Sequence, residues 1–381
     1  MDRYPIFTIV FVNLVLLIMI FSGLELGLRF VGPNWLHGRM EFMGAGVGDQ
    51  MEFGSDRDWK IVKKGGLFHS FEPGSSWYST NSEYRNKIQI DEIGGRRISG
   101  RDGLNLDSEV VVFTGDSFMF GIGADDEETF AWLLQESDKD SGFVNLSVPG
   151  TGLVEQTHIL RSRLKEFPNL KKVVVAFYLG NDFRDLKREL KSKESFNFMG
   201  EPAKRKRSLS QSINDFVNNS SVLSKSYSLQ YVKAKLMSIV YRGKWKDMEP
   251  IFMVMSENND EYIADRLSLL NPAVKELKEL VSSRGAELQF VYVPDRYQVY
   301  SDKREDRKVY YSIPDRLDPL LPNKLLSGVL SKNDIDYIDP TECMIEVSES
   351  SSEPLYFTQD LHFTPEGNRV FYKCIKDEFF G

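Results

Sequence analysis

The chain of 381 residues holds only two cysteines, Cys343 and Cys374, and only four histidines. Two thiols cannot build a thiolate cage, and no His/Asp/Glu cluster has metal-ligand spacing. No metal and no other cofactor is therefore expected. The two thiols can pair in an oxidising compartment or stay free and buried, and the sequence leaves both open. Positive charge is also in short supply. Against 56 Asp+Glu stand 48 Lys+Arg, a formal net charge of -8, which argues against nucleic acid as a partner. No internal repeat of about 20 to 50 residues is visible. At 41% hydrophobic and 27% charged, the composition is that of a globular protein.

One stretch lacks charge altogether. Pro5 to Leu24, PIFTIVFVNLVLLIMIFSGL, has Asn13 as its only strongly polar side chain. About 20 apolar residues match the hydrocarbon thickness of a bilayer. The run is longer than a usual signal-peptide core, and no A-x-A-like site follows it. Glu25 and Arg29 come next at i,i+4 spacing, which suits a helix continuing into the interface. The segment 1–31 is read as an uncleaved single-pass anchor, with the membrane as a partner. Arg3 and the terminal amine on one side face Arg29 and Arg39 on the other, so the charge bias is small. A short N-terminal tail most simply stays in the cytoplasm, leaving the body outside it.

Residues 32–107 are rich in Gly, aromatics and charge. Trp59-Lys60-Ile61-Val62 and Lys87-Ile88-Gln89-Ile90 alternate like strands. Gly65-Gly66, Pro73-Gly74 and Gly94-Gly95 mark turns. A small β-rich extension on the main domain is expected. His37 and His69 have no partner pattern nearby and are read as surface or packing residues.

From 108 to 381 short apolar runs alternate with helical patterns. Val110–Phe113, Phe143–Leu146, Lys172–Leu179, Leu288–Val293 and Asp336–Ile338 read as strands. Leu153–Phe167, Ala273–Ser283 and Asn368–Phe380 read as helices. Such alternation predicts an α/β domain, a parallel sheet with helices on both faces. The alternation breaks over about 183–255, an insertion. It begins with a basic run, Arg184 to Arg207, and continues with a helix-like stretch, Ser210 to Tyr241. A lid or groove wall and a solvated loop with a bracing helix fit it equally.

The first strand ends in Thr114-Gly115-Asp116-Ser117, and open α/β sheets bind ligands at the carboxyl ends of their strands. Gly115 permits a tight turn, and Ser117 opens a loop that leads to a helix around Phe130, Leu133 and Leu134. A serine hydroxyl is a poor nucleophile unless a base activates it. Asp360-Leu361-His362 supplies a candidate, since a nearby Asp can hold one ring nitrogen and leave the other as base. Donors for a developing oxyanion follow three strands: the Ser117 N–H, the Gly150 N–H and the Asn181 amide. Plainer readings exist for each. Ser117 could instead cap the segment that follows, Gly150 and Gly152 could be turn glycines, and Asn181 a strand-end turn residue; for Ser117 and Asn181 the functional reading is preferred. Asp116 and Asp182 are read as structuring their loops, and His158 as structural.

Gly115-Asp116-Ser117, Gly150 in its turn, Gly180-Asn181-Asp182 and Asp360-x-His362, in this order, resemble the four signature blocks of the SGNH (GDSL-type) hydrolase family. The anchor and Gly94-Gly95-Arg96-Arg97 resemble its membrane-anchored bacterial branch. The resemblance implies a three-layer, flavodoxin-like sheet of five parallel strands in order 2-1-3-4-5, and an acyl-serine mechanism. It assigns Ser117 as nucleophile, Asp360 and His362 as orienting acid and base, and Ser117, Gly150 and Asn181 as the oxyanion hole. Many members place the acid three residues before the His; here the spacing is two, as in a shorter variant among anchored members. The expected activity is ester hydrolysis on an acyl-ester substrate, an acylated glycan being one candidate. The same residues would serve an O-acyltransferase modifying a cell-surface polysaccharide. An inert carbohydrate-binding or assembly module is the alternative of another class.

Overall fold

The computed structural model describes residues 5–31, 61–64, 67–80, 83–98, 108–191, 250–300, 316–357 and 360–380. The chain divides into two units, Met1–Met51 with Pro202–Trp245, and Glu52–Glu201 with Lys246–Gly381. In the first unit the described element is helix α1, Pro5–Val31, 27 residues long. It carries exposed Phe11, Leu16, Met19, Ile20 and Leu26. The side chains of 5–10, 14, 17, 18 and 28–31 lie outside the described residues. Among the described residues no helix is long and apolar enough to cross a membrane. The basic quartet Lys204-Arg205-Lys206-Arg207, the helix expected over Ser210–Tyr241 and His37 also lie outside the described residues.

The second unit begins with strands β1 (Ile61–Lys64), β2 (Leu67–Phe71), β3 (Ser76–Thr80) and β4 (Arg85–Gln89). Then come β5 (Val110–Gly115), α2 (Ser117–Phe120), α3 (Phe130–Ser137), β6 (Gly142–Asn145) and α4 (Leu153–Arg163). They are followed by β7 (Leu170–Tyr178), α5 (Asp182–Lys191), α6 (Pro250–Met255), α7 (Asp260–Ser282) and β8 (Glu287–Val293). The unit closes with α8 (Arg296–Val299), α9 (Leu321–Lys332), β9 (Asp336–Ile338), α10 (Thr341–Ser350) and α11 (Pro365–Phe380).

The sheet order is β6-β5-β7-β8-β9, and every neighbouring pair is parallel. Numbered within the sheet this is 2-1-3-4-5, as the family resemblance implied. The alternation of side chains along a strand explains why the sheet carries helices on both faces. Val110 and Val112 point into one core with Leu153 and Leu160 of α4, Leu270 and Leu277 of α7, and Leu330 of α9. Val111 and Phe113 point into the other with Phe130 and Leu134 of α3, Met344 of α10, and Phe371 and Ile375 of α11. Burying each such side chain is worth about 1.5–3 kcal/mol, so the central strand is held from both sides.

Strands β1–β2 and β3–β4 form two antiparallel pairs. Phe71, Trp77, Ile88 and Ile90 share a small core with Phe120, Ile122, Val148 and Ile159 of the α/β body. The extension is thus packed on the elements that follow Ser117 and β6. His69 is buried there, 3.5 Å from Glu166, a packing residue.

Of the two states the sequence leaves open for the cysteines, the structure has the paired one: Cys343 and Cys374 form a disulfide between α10 and α11. One expectation needs correction: Gly115 is needed for space more than for an unusual turn. A Cβ there would sit 2.6 Å from the Met119 Cβ and 3.0 Å from the Ala176 oxygen. Positive φ instead falls at Gly121 and Gly123, just beyond α2.

Candidate active site

The central strand β5 stops at Gly115, and Asp116 caps a one-turn helix by accepting the Phe118 N–H at 2.9 Å. Ser117 is therefore the first residue of α2, not part of a loop, and the capping role is taken by Asp116. Its hydroxyl sits 2.7 Å from His362 Nε2, across 245 positions of sequence. His362 Nδ1 is hydrogen-bonded to Asp360 Oδ1. The Phe118 ring packs against the imidazole at 5.0 Å between centroids. Hydroxyl, imidazole and carboxylate form one hydrogen-bonded chain, and the two-residue spacing of Asp360 and His362 does not prevent it. Leu361 between them takes a positive φ of 70°.

The electrostatics follow from burial. Burial alone lowers the basicity of His362, but the charge and hydrogen bond of Asp360, with Asp116 behind, raise it overall above the ordinary imidazole value. Burial alone would raise Asp360; His362 and the hydrogen bonds it receives bring it below the usual carboxylate range. Asp116 is pushed up to about 7, mainly by burial and against the pull of the Phe118 N–H and His362. Asp182 accepts the Tyr178 N–H at 2.9 Å. Burial first, then Asp116 and Asp185, push it well above the usual range. Both carboxyls organise the backbone where β5 and β7 end.

The other two expected donors sit on the flanking strands. The loop after β6 is tied to the Gly115 oxygen by the Val148 N–H at 3.1 Å and the Thr151 hydroxyl at 3.3 Å. Gly150 is exposed on that loop with φ +77°. Glu189 Oε1 accepts the Gly152 N–H at 2.5 Å, so Gly152 is engaged away from any ligand. Asn181 follows β7; its carbonyl accepts the Arg184 N–H at 2.8 Å and opens α5. Its Oδ1 is buried and has no hydrogen-bond partner among the described residues. His158 is half-buried on α4.

Sequence reasoning missed Tyr84 and Glu83. The Tyr84 hydroxyl donates to Asp360 Oδ2 at 2.9 Å, and Glu83 Oε2 accepts the Asp360 N–H at 2.8 Å. They lie 276 and 277 positions away, in a segment with no pattern to mark them.

A doubly wound sheet thus brings Ser117, His362 and Asp360 together at the carboxyl edge of its central strands, in the geometry of a nucleophile, base and acid triad. A family model described as "SGNH hydrolase-like domain, acetyltransferase AlgX" matches residues 253–379, a span that includes Asp360 and His362 but not Ser117. No curated protein matches the chain. Among solved structures it is similar to a lipolytic G-D-S-L family protein from Veillonella parvula, at 10% identity and a TM-score of 0.39, over 71% of this chain and 98% of that one. A catalytic mutant of the acetylxylan esterase Axe2 from Geobacillus stearothermophilus matches at 10% identity and 0.38, over 73% and 96%. An extracellular lipase from Streptomyces rimosus matches at 12% and 0.38, over 71% and 99%.

Proposed function

We propose that the chain is a serine hydrolase of ester bonds that works through an acyl-Ser117 intermediate. The observation that carries this reading is the 2.7 Å approach of the Ser117 hydroxyl to His362 Nε2, with Asp360 on the other ring nitrogen. Ser117 Oγ attacks the ester carbonyl as its proton passes to His362 Nε2. The Ser117 and Gly150 N–H groups and the Asn181 amide take the oxyanion charge. Collapse expels the alcohol, which leaves with the proton held on His362. Water then attacks the acyl-enzyme, giving its proton to His362, and the carboxylic acid departs as Ser117 is restored.

The family match, whose description names an acetyltransferase, favours a second reading of the same site. There a sugar hydroxyl replaces water in the last step, and the product is an O-acylated glycan. Both readings set the enzyme outside the cytoplasm on a single-pass anchor. The charge-free run Pro5–Leu24, its apolar side chains exposed on α1 and the Cys343–Cys374 bridge support that placement.

A fluorophosphonate probe tests the common step: it labels the wild type and not Ser117→Ala. A correctly folded wild type that stays unlabelled rejects the enzyme in favour of an inert binding module. Acetate released from an aryl acetate, compared with and without an oligosaccharide acceptor, separates the two enzymes. Turnover in water alone supports the hydrolase; turnover only with acceptor supports the transferase.

A further inference from the structure

The Asp360 carboxylate has two oxygens, and the serine–histidine relay uses one. The second, Oδ2, takes the Tyr84 hydroxyl at 2.9 Å. Tyr84 stands just before β4, in the extension and not in the α/β body. Its neighbour Glu83 accepts the Asp360 N–H at 2.8 Å, so two consecutive residues grip the same aspartate by side chain and by backbone. The Tyr84 ring packs against Phe357 at 4.9 Å between centroids, and the Phe357 N–H donates to the His362 carbonyl at 2.8 Å. These contacts enclose a strained turn. Leu361, at φ 70°, occupies the left-handed region that a residue with a Cβ rarely adopts. Such a conformation persists only where its surroundings over-determine it.

We propose that Tyr84 is a positioning residue for the Ser117 reaction: its hydroxyl fixes the second oxygen of Asp360 and, with Glu83, holds the Asp360-Leu361-His362 turn in the form that aims the imidazole at Ser117. The proposal rests on the serine-hydrolase reading of the site. Burial and the Asp360 charge push the Tyr84 hydroxyl far above its ordinary value, so it is a donor throughout the working range. A donor on Oδ2 does two things. It stops the carboxylate rotating away from Nδ1, and it draws charge from Oδ1, which moderates the basicity of His362. Among the described residues, Asp360 and Asp116 face His362, and His362, Tyr84 and Glu83 face Asp360.

The test is Tyr84→Phe in the full-length chain, which keeps the ring against Phe357 and removes only the hydroxyl. With p-nitrophenyl acetate, kcat falls about ten- to a hundredfold, the range for losing a hydrogen bond to a charged group. KM stays near the wild-type value, and the acid limb of the kcat/KM profile moves to higher pH. The His362 C–H resonance, assigned by its loss in His362→Ala, titrates upward by the same amount. A fluorotyrosine placed at position 84 is a stronger donor and moves both midpoints downward, which keeps the test open if Tyr84→Phe fails to fold. An unaltered kcat overturns the proposal, as does a lower kcat with unmoved midpoints, which a merely structural role would give. Failure of the fluorophosphonate to label the wild type counts against the serine-hydrolase reading instead, and the resonance still reports on Tyr84.

Discussion

Arg96 Nη2 lies 2.9 Å from Asp126 Oδ1, with the arginine fully buried and the aspartate nearly so. Burial pushes the guanidinium down from its ordinary value and the carboxyl up, so each charge is tolerated because of the other. The same Nη2 donates to the Ala124 oxygen at 3.0 Å, and Asp126 accepts from the Gln89 side chain at 2.8 Å. The pair thereby fastens the extension to the stretch just beyond α2. Asp126→Ala leaves a buried cation alone and is expected to cost about 3–5 kcal/mol in urea unfolding. Arg96→Met combined with Asp126→Leu costs less than Asp126→Ala. A double variant less stable than the single would show that the ion pair is itself a net source of stability.

His362 acts as a base only when neutral, and its pKa lies above the ordinary imidazole value of 6.5. Hydrolysis of an aryl acetate therefore falls tenfold per pH unit on the acid side, with a midpoint above 6.5. Asp360→Asn removes the largest influence raising that midpoint. The variant loses on the order of 10²–10⁴ in kcat, and its remaining activity titrates at lower pH. A variant limb at or above the wild-type position contradicts the arrangement of charges described here.

Gly115→Ala drives a methyl into Met119 and the Ala176 oxygen. Overpacking of this kind costs about 1–3 kcal/mol, and here it also shifts the start of α2, which carries Ser117. The expected result is a modest drop in melting temperature and a much larger loss of fluorophosphonate labelling rate. Equal losses in stability and in rate, recovered together on cooling, would count against a local displacement of the hydroxyl.

Cys343→Ser opens a bridge between residues 31 positions apart. Chain entropy puts its contribution at about 3–4 kcal/mol. A reductant should lower the melting temperature of the wild type and leave that of Cys343→Ser alone. No response of the wild type to reductant would mean that the two cysteines are not joined in solution.

The five strands of the body were legible because a parallel strand covered on both faces is a near-continuous apolar run, as Val173–Phe177 shows. The site was legible where short blocks sit at strand ends: Ser117 after β5, Asn181 after β7, and Asp360 close enough to His362 to suggest their pairing. Helices α9 and α10 were missed. Each alternates a few apolar residues with polar ones over ten or twelve positions, a weak period beside the long pattern of α7. Gly115 was assigned to a turn because sequence carries φ preferences but not the distance to Ala176 across the sheet. Tyr84 was invisible for a related reason: nothing local marks a hydroxyl whose partner lies at the far end of the chain.

The bridge between Cys343 and Cys374 has one more consequence. Asp360 and His362 lie between its two ends, so the segment that bears the base is enclosed in a covalent ring. A protease nick anywhere inside that ring leaves both pieces tethered, and the half-site they carry stays moored to the rest of the domain. Only cleavage followed by reduction can set the imidazole adrift.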